Sequence, residues 1–237
     1  MIKTFLLFFF FTAISQSKFV EEVENPDEEF NLADLFIAAE DAAEYASPCG
    51  AELKSVKTCL TDVTSNYNTS NGSELLYDKE FMISMIEDVE NAKCFAPSNC
   101  ANVKVAKYIY NDLLYISKKI YQEGFECAEK IVNNPDALEE TVKHCANMIL
   151  LSGQVKVKEI SIDSIVAVFR PLSACVIERQ SCSVEEKQAL TSAAYKGVEL
   201  VEAYFHPDNV LRDLGLTEAD ISKEEVAAVF LFFVNGR

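Results

Sequence analysis

The sequence predicts an all-α protein, built as a disulfide-stapled helical bundle of about seven to nine helices. Three observations support this fold class. Apolar residues recur at helical spacing from Asn31 onward, glycine is scarce with seven in 237 residues, and eight cysteines are present. Helical spacing places apolar residues on one face of a helix, where they can pack against a core. Scarce glycine argues against a fold that is rich in β-turns.

Five apolar stripes mark predicted helices in chain order. Their members step by three or four residues, and once by seven, as one side of a helix with 3.6 residues per turn requires. The stripes are Cys49, Leu53, Val56, Leu60 and Val63; Leu75, Met82, Ile86 and Val89; Val105, Ile109, Leu113, Ile116 and Ile120; Leu138, Val142, Cys145 and Ile149; and Leu190, Ala194, Val198, Val201 and Phe205.

Polar residues and prolines mark the expected ends of these helices. Ser73, Ser183 and Ser222 each precede a helical pattern with an acidic residue close behind, and the last two fit the capping box. Proline interrupts a helix interior, so we expect helix boundaries at Pro135, Pro171 and Pro207. Only residues 155–163, VKVKEISID, alternate as a strand does. They are either a strand or a loop that leads into a helix at residues 165–169.

The chain begins with the pattern of a secretory signal peptide. Lys3 is followed by an apolar run at residues 5–14 and by the small residues Ser15 and Ser17, near which we expect cleavage. An N-terminal membrane anchor is disfavoured because a spanning helix needs about 20 apolar residues. We therefore assign residues 1–17 to a signal peptide, 18–30 to an acidic flexible leader, and 31–237 to a single disulfide-rich helical domain.

A second apolar run, VAAVFLFFV at residues 226–234, lies near the C-terminus. Nine helical residues cover about half of a bilayer core, so we expect no stable membrane insertion. Val226, Val229, Phe230 and Phe233 fall on one helical face. This pattern predicts a terminal helix that is buried against the rest of the domain.

The chain is strongly acidic, which restricts its partners. The formal net charge is −17, and removal of residues 1–17 takes away only the charge of Lys3 and gives −18. Such a protein is repelled by phosphate backbones, so nucleic acid is excluded as an expected partner.

The eight cysteines predict four disulfides. They are Cys49, Cys59, Cys94, Cys100, Cys127, Cys145, Cys175 and Cys182. No Cys-x-x-Cys pair is present, and an even number of cysteines after a signal peptide is typical of an oxidised extracellular framework.

Hairpin symmetry suggests two of the four pairings. Cys49 and Cys94 lie at similar distances in sequence from the loop near residue 71, and Cys127 and Cys145 flank Pro135 in the same way. We therefore expect Cys49–Cys94 and Cys127–Cys145. Cys59 and Cys100 would then pair with Cys175 and Cys182, in an order that is left open.

The polar loop YNTSNGSE carries two adjacent signals for N-glycosylation. Asn68 and Asn71 each begin an Asn-x-Ser/Thr sequon. We expect at least one of them to be glycosylated, and the alternative is an unmodified asparagine-rich turn.

Three segments carry a resemblance to a known family. CGAELKSVKTC, KCFAPSNC and GFECAEK resemble a nematode-expanded secreted cysteine-rich family, known as domain of unknown function nineteen. The likeness spans residues 49–182, although this chain lacks some family cysteines, for example within residues 108–121. The resemblance implies a helical extracellular protein with disulfides at Cys49, Cys59, Cys94, Cys100 and Cys127. It implies no catalytic residue.

The sequence contains no constellation that argues for catalysis. Glu140 and His144 are one helical turn apart, but two side chains without a third ligand are more typical of a surface pair than of a metal site. His206 precedes Pro207, where a capping or surface role is expected. No nucleophile elbow, zinc-protease motif or phosphate-binding glycine loop is present. We expect no enzyme, no cofactor and no metal.

Two functional hypotheses follow from different classes of protein. The first is a secreted glycoprotein with an extracellular interaction or structural role, whose helical surface is recognised by a protein partner. The second is an extracellular carrier, whose helices enclose a small hydrophobic ligand or lipid.

Overall fold

The computed structural model describes residues 49–65, 67, 77–152 and 162–235, and the regular structure within these residues is helical. It comprises nine α-helices and one π-helical turn, Lys119–Glu123, which directly follows α3. The helices are α1 Gly50–Ser65, α2 Lys79–Asn91, α3 Ala101–Lys118, α4 Phe125–Val132, α5 Pro135–Leu151, α6 Ile162–Glu178, α7 Val184–Phe205, α8 Pro207–Asp213 and α9 Lys223–Asn235. The predicted disulfide-stapled all-α fold is confirmed.

The long helix α7 lies at the centre of the packing. It contacts α3, α4, α6, α8, α9 and the π-helical turn. The main core runs through these elements and includes Val105, Ile109, Tyr121, Val210 and Val226, each at most 2 % exposed. Burial of such a side chain contributes about 1.5–3 kcal/mol, so this cluster is the main source of stability.

Several helix starts agree with the sequence signals. Ser183 accepts a hydrogen bond from the Glu186 amide while the Glu186 carboxylate accepts one from the Ser183 amide, and Ser222 and Glu225 do the same. These two capping boxes are confirmed. Pro135 and Pro207 each occupy the first position of a helix. Ser73 lies outside the described residues.

One predicted helix boundary differs from the structure. Pro171 does not end a helix but lies inside α6, which extends from Ile162 to Glu178. Proline there removes one backbone donor, and the packing of α6 against α5 and α7 keeps the helix continuous. Residues 162 and 163 of the alternating segment belong to α6, and residues 155–161 lie outside the described part.

All eight cysteines form disulfides, as predicted, but the two suggested pairings are wrong. The bonds are Cys49–Cys100, Cys59–Cys94, Cys127–Cys182 and Cys145–Cys175. The expectation that Cys59 and Cys100 bond to Cys175 and Cys182 is wrong as well. Two bonds lie between residues 49 and 100, and the other two lie between residues 127 and 182.

Cys49–Cys94 does not form because α1 and α2 are not a simple hairpin. The Tyr67 hydroxyl, just after α1, donates to Asp88 and lies 3.2 Å from the Ser84 hydroxyl. Asp88 lies in the last turn of α2, and Ser84 lies near its middle. The end of α1 therefore lies beside the end of α2, which brings Cys59 rather than Cys49 next to Cys94.

The KCFAPSNC segment, residues 93–100, runs back along α1. Ten residues of helix between Cys49 and Cys59 rise by about 15 Å. Six residues between Cys94 and Cys100 reach about 20 Å at most. The two disulfides thus require a nearly extended segment, antiparallel to α1. Lys93, with a φ of 50°, redirects the chain after α2.

The predicted Cys127–Cys145 disulfide does not form because the two cysteines lie at different heights along α4 and α5. From the corner between α4 and α5, Cys127 is five residues back from Val132 and Cys145 is ten residues on from Pro135. At 1.5 Å per residue, the two cysteines differ in height by about 7 Å if the helices are antiparallel. Helix α6 packs along α5 instead, so Cys175 meets Cys145.

The predicted burial of the C-terminal helix is confirmed. Val226, Val229, Phe230 and Phe233 are each at most 9 % exposed, and α9 packs against α3, α7 and α8. Within the described part of the chain, every helix is too short or too polar to traverse a bilayer.

The predicted signal peptide, the acidic leader and both sequon asparagines, Asn68 and Asn71, lie outside the described residues. They stay predictions, as does the single domain at residues 31–237.

Candidate functional site

An open depression lies where the corner between α4 and α5 meets the connection between α6 and α7. Its volume is about 420 Å³. The lining residues are Glu129, Lys130, Ile131, Asn133, Asn134, Ala137, Gln180, Ser181 and Cys182. Since Cys182 is bonded to Cys127 on α4, the disulfide joins the two walls. The shape of this depression is therefore held covalently.

Asn134 and Gln180 in this depression each use part of their side-chain hydrogen-bonding capacity within the protein. Asn134 caps α5, and its side-chain oxygen accepts a hydrogen bond from the Ala137 amide at 3.4 Å. The Gln180 side-chain amide donates to the Val176 carbonyl at 3.0 Å. These bonds orient each side chain and leave the Asn134 NH₂ group as a donor and the Gln180 oxygen as an acceptor.

The charged groups of the depression nearly balance. Glu129 and Lys130 are adjacent in sequence and both are exposed. The pKa of Glu186 is lowered, mainly by hydrogen bonds from Ser183 and to a smaller extent by the charge of Lys130. Lys130 therefore lies close enough to Glu186 for their charges to attract. With donors, acceptors and little net charge, the depression suits contact with a neutral polar surface.

A second polar cluster lies between α3 and α7 and is partly buried. Lys196 Nζ lies 3.6 Å from Asp112 Oδ1 and 2.8 Å from Glu199 Oε2. Burial raises the pKa of the Asp112 carboxyl, an effect that Lys196 partly opposes. Burial also raises the pKa of the Tyr108 phenol, and the nearby Asp112 charge adds to that shift. The cluster joins the two central helices and fits a structural role better than a binding role.

The two histidines are separate from both clusters. His144 and Glu140 are exposed on α5. His206 lies between α7 and α8, where its backbone amide donates to the Glu202 carbonyl and its carbonyl accepts from the Asn209 amide. Among the described residues, no group of three histidine, cysteine, aspartate or glutamate side chains is arranged to hold a metal ion.

Neither cluster was predicted from the sequence. The sequence position of Asp112 could have indicated a polar group beside the core, because Asp112 lies three residues after Ile109 and four before Ile116 on the flank of an apolar stripe. No sequence pattern predicts the depression, since its two walls are about 50 residues apart in sequence and meet only through the fold.

Comparison of the chain with protein-family models, with curated proteins and with solved structures finds no match in any of the three. The fold thus defines a class, an all-α protein with four disulfides, and such a framework fits an extracellular protein. The resemblance to domain of unknown function nineteen stays a prediction.

Proposed function

We propose that this is a secreted glycoprotein that acts by binding an extracellular partner through the depression beside Cys127–Cys182. The observation that carries the proposal is that polar groups from two distant segments line one depression whose walls are joined by a disulfide. A covalently held surface loses little conformational entropy when it binds, which favours recognition. Membership in the domain of unknown function nineteen family belongs to the same proposal.

The partner that best fits is a protein surface with polar side chains or exposed backbone. The depression is open and not enclosed, so it can receive a protruding segment. Its side chains offer both donors and acceptors, and the buried Ile131 contributes an apolar element. The overall acidity of the chain disfavours an acidic partner.

Site-specific photo-crosslinking tests this proposal. A photoreactive amino acid is placed at Asn133, inside the depression, and in a matched control at Lys54, an exposed position on α1. Each protein is incubated with extracellular fluid from the source organism. We expect one defined adduct from position 133, which unlabelled protein suppresses and position 54 does not form. Equal crosslinking at both positions, or none at position 133, would contradict the proposal.

Native mass spectrometry separates this function from the carrier hypothesis. A binding protein of the proposed kind should show the mass of its polypeptide and glycans alone. A retained apolar molecule, released on denaturation, would favour the carrier instead.

A further inference from the structure

The first two disulfides hold a part of the molecule that contributes little to the core. We call α1 and the segment 93–100 together the clasp. Within the described residues, Val56 is the single buried residue among the 16 of α1. Leu53 and Leu60 pack on the core while staying partly exposed. Packing alone therefore holds α1 weakly.

A noncovalent link between α1 and the rest of the clasp is exposed. The Ser98 hydroxyl donates to the Glu52 carboxylate at the protein surface. Beyond the end of α1, Tyr67 is hydrogen-bonded to α2. An exposed hydrogen bond exchanges readily with water and contributes little to stability. Besides this exposed bond, the partly buried Tyr67 bonds and the packing of α1 against α2 and α3, α1 is held by the two covalent bonds Cys49–Cys100 and Cys59–Cys94.

The two disulfides of the clasp differ in exposure from the other two disulfides. All four cysteines of the clasp are partly exposed. In contrast, each of the other two disulfides joins a partly exposed cysteine, Cys182 or Cys175, to one with no exposed surface, Cys127 or Cys145, so only one of its two sulfur atoms is accessible. Thiol–disulfide exchange requires a thiolate to reach a sulfur atom, so access controls its rate.

The rest of the described fold, which we call the body, is held by its own apolar packing. Helix α7 buries residues along most of its length, and α9 is buried on nearly all sides. Both belong to the main apolar cluster. We infer that the clasp is a redox-sensitive device: a dithiol reductant opens its two disulfides first, and α1 then separates from a body that stays folded.

The chemistry balances with the dithiol as the reductant. Its thiolate attacks one clasp sulfur, forms a mixed disulfide and releases the other cysteine as a thiol. The second thiol of the reductant then displaces the remaining cysteine. Each clasp disulfide gains two electrons and two protons, and each dithiol becomes a disulfide. This inference rests on burial and packing and is independent of the proposed function.

Stepwise reduction of the native full-length protein with dithiothreitol tests the inference. Samples are alkylated at intervals and the modified cysteines are identified by peptide mass spectrometry. We expect Cys49, Cys59, Cys94 and Cys100 to be modified about tenfold faster than the other four. Opening of Cys127–Cys182 or Cys145–Cys175 first, or of all four together, would overturn the inference.

Hydrogen exchange on the partly reduced protein tests the structural consequence. Once both clasp disulfides are open, amides of α1 should exchange at least about tenfold faster, while those of α7 and α9 keep their protection. Unchanged exchange in α1 would refute the release of the helix, and loss of protection in α7 would refute an independent body. The Cys59→Ser, Cys94→Ser double variant is a control, because its Cys49–Cys100 bond should still protect the start of α1.

Discussion

Asp112 Oδ1 on α3 lies 3.6 Å from Lys196 Nζ on α7, whereas the same Lys196 atom lies only 2.8 Å from Glu199 on its own helix. Within the described part of the chain, the buried Asp112 Oδ2 atom has no hydrogen-bond partner. Lys196 thus pairs more closely with Glu199. Asp112 is left in a site where burial raises its pKa despite a cation nearby.

This relationship predicts how Asp112→Asn changes the pH dependence of stability. A raised pKa in the folded state means that the carboxyl contributes stability below its unfolded pKa of about 4. That contribution is lost as pH rises through the folded pKa. We therefore expect the stability of Asp112→Asn, relative to the natural protein, to increase from pH 4 to pH 7 in urea unfolding experiments.

The matched control for this measurement is Glu87→Gln, which changes an exposed carboxylate on α2. It should follow the pH profile of the natural protein. A relative stability of Asp112→Asn that falls as pH rises would show that attraction by Lys196 outweighs burial.

Gly124→Ala should destabilise the fold through a steric clash. An added Cβ would lie 2.8 Å from Leu190 Cδ2 and 3.2 Å from the Lys119 carbonyl oxygen. Leu190 is buried on α7 and has little room to move. We expect a loss of about 1–3 kcal/mol in the free energy of unfolding. Gly50→Ala, whose Cβ would meet no atom within 4 Å, should change it by less than about 0.5 kcal/mol.

Phe230→Ala should remove a large part of the stability that α9 provides. The ring is 5 % exposed and lies edge-on to Tyr204, with centroids 5.8 Å apart. Truncation of such a side chain costs about 3–5 kcal/mol, so thermal unfolding should shift strongly downward. Deletion of residues 222–237 should impair folding and secretion. Val184→Ala, at a position 65 % exposed, is the control and should leave the melting temperature nearly unchanged.

Peptide mapping of the unreduced protein should find the four observed disulfides and no free thiol. Trypsin can cleave after Lys54 and Lys57, and chymotrypsin after Phe95, which separates the four clasp cysteines. We expect the Cys49 peptide linked to that of Cys100, and the Cys59 peptide linked to that of Cys94. Recovery of a Cys49–Cys94 peptide would contradict the structure.

Glycosylation at Asn68 or Asn71 should be visible in the secreted protein. Treatment with a peptide N-glycosidase should increase its electrophoretic mobility. Asn68→Gln and Asn71→Gln should each abolish one glycan if its site is used, and together they should abolish the shift. An unshifted natural protein would show that neither sequon is modified.

Features that depend on one or two helical turns were predictable from the sequence. Ser183 and Ser222 form capping boxes as expected, and the stripe from Val105 to Ile120 is buried. Pro171 shows where this reasoning ends. The local signal favoured a boundary, but packing against neighbouring helices retains the proline inside α6.

The sequence by itself determined the helical class, the number of disulfides and the burial of α9. Each of these follows from residue type and spacing within a segment, because a helix places residues three and four apart on one face. Only the tertiary structure decided which cysteines pair, that Asp112 faces Lys196, and that the α4–α5 corner meets the α6–α7 connection. These features depend on the direction that each helix takes after a loop, and spacing along the chain does not encode that direction.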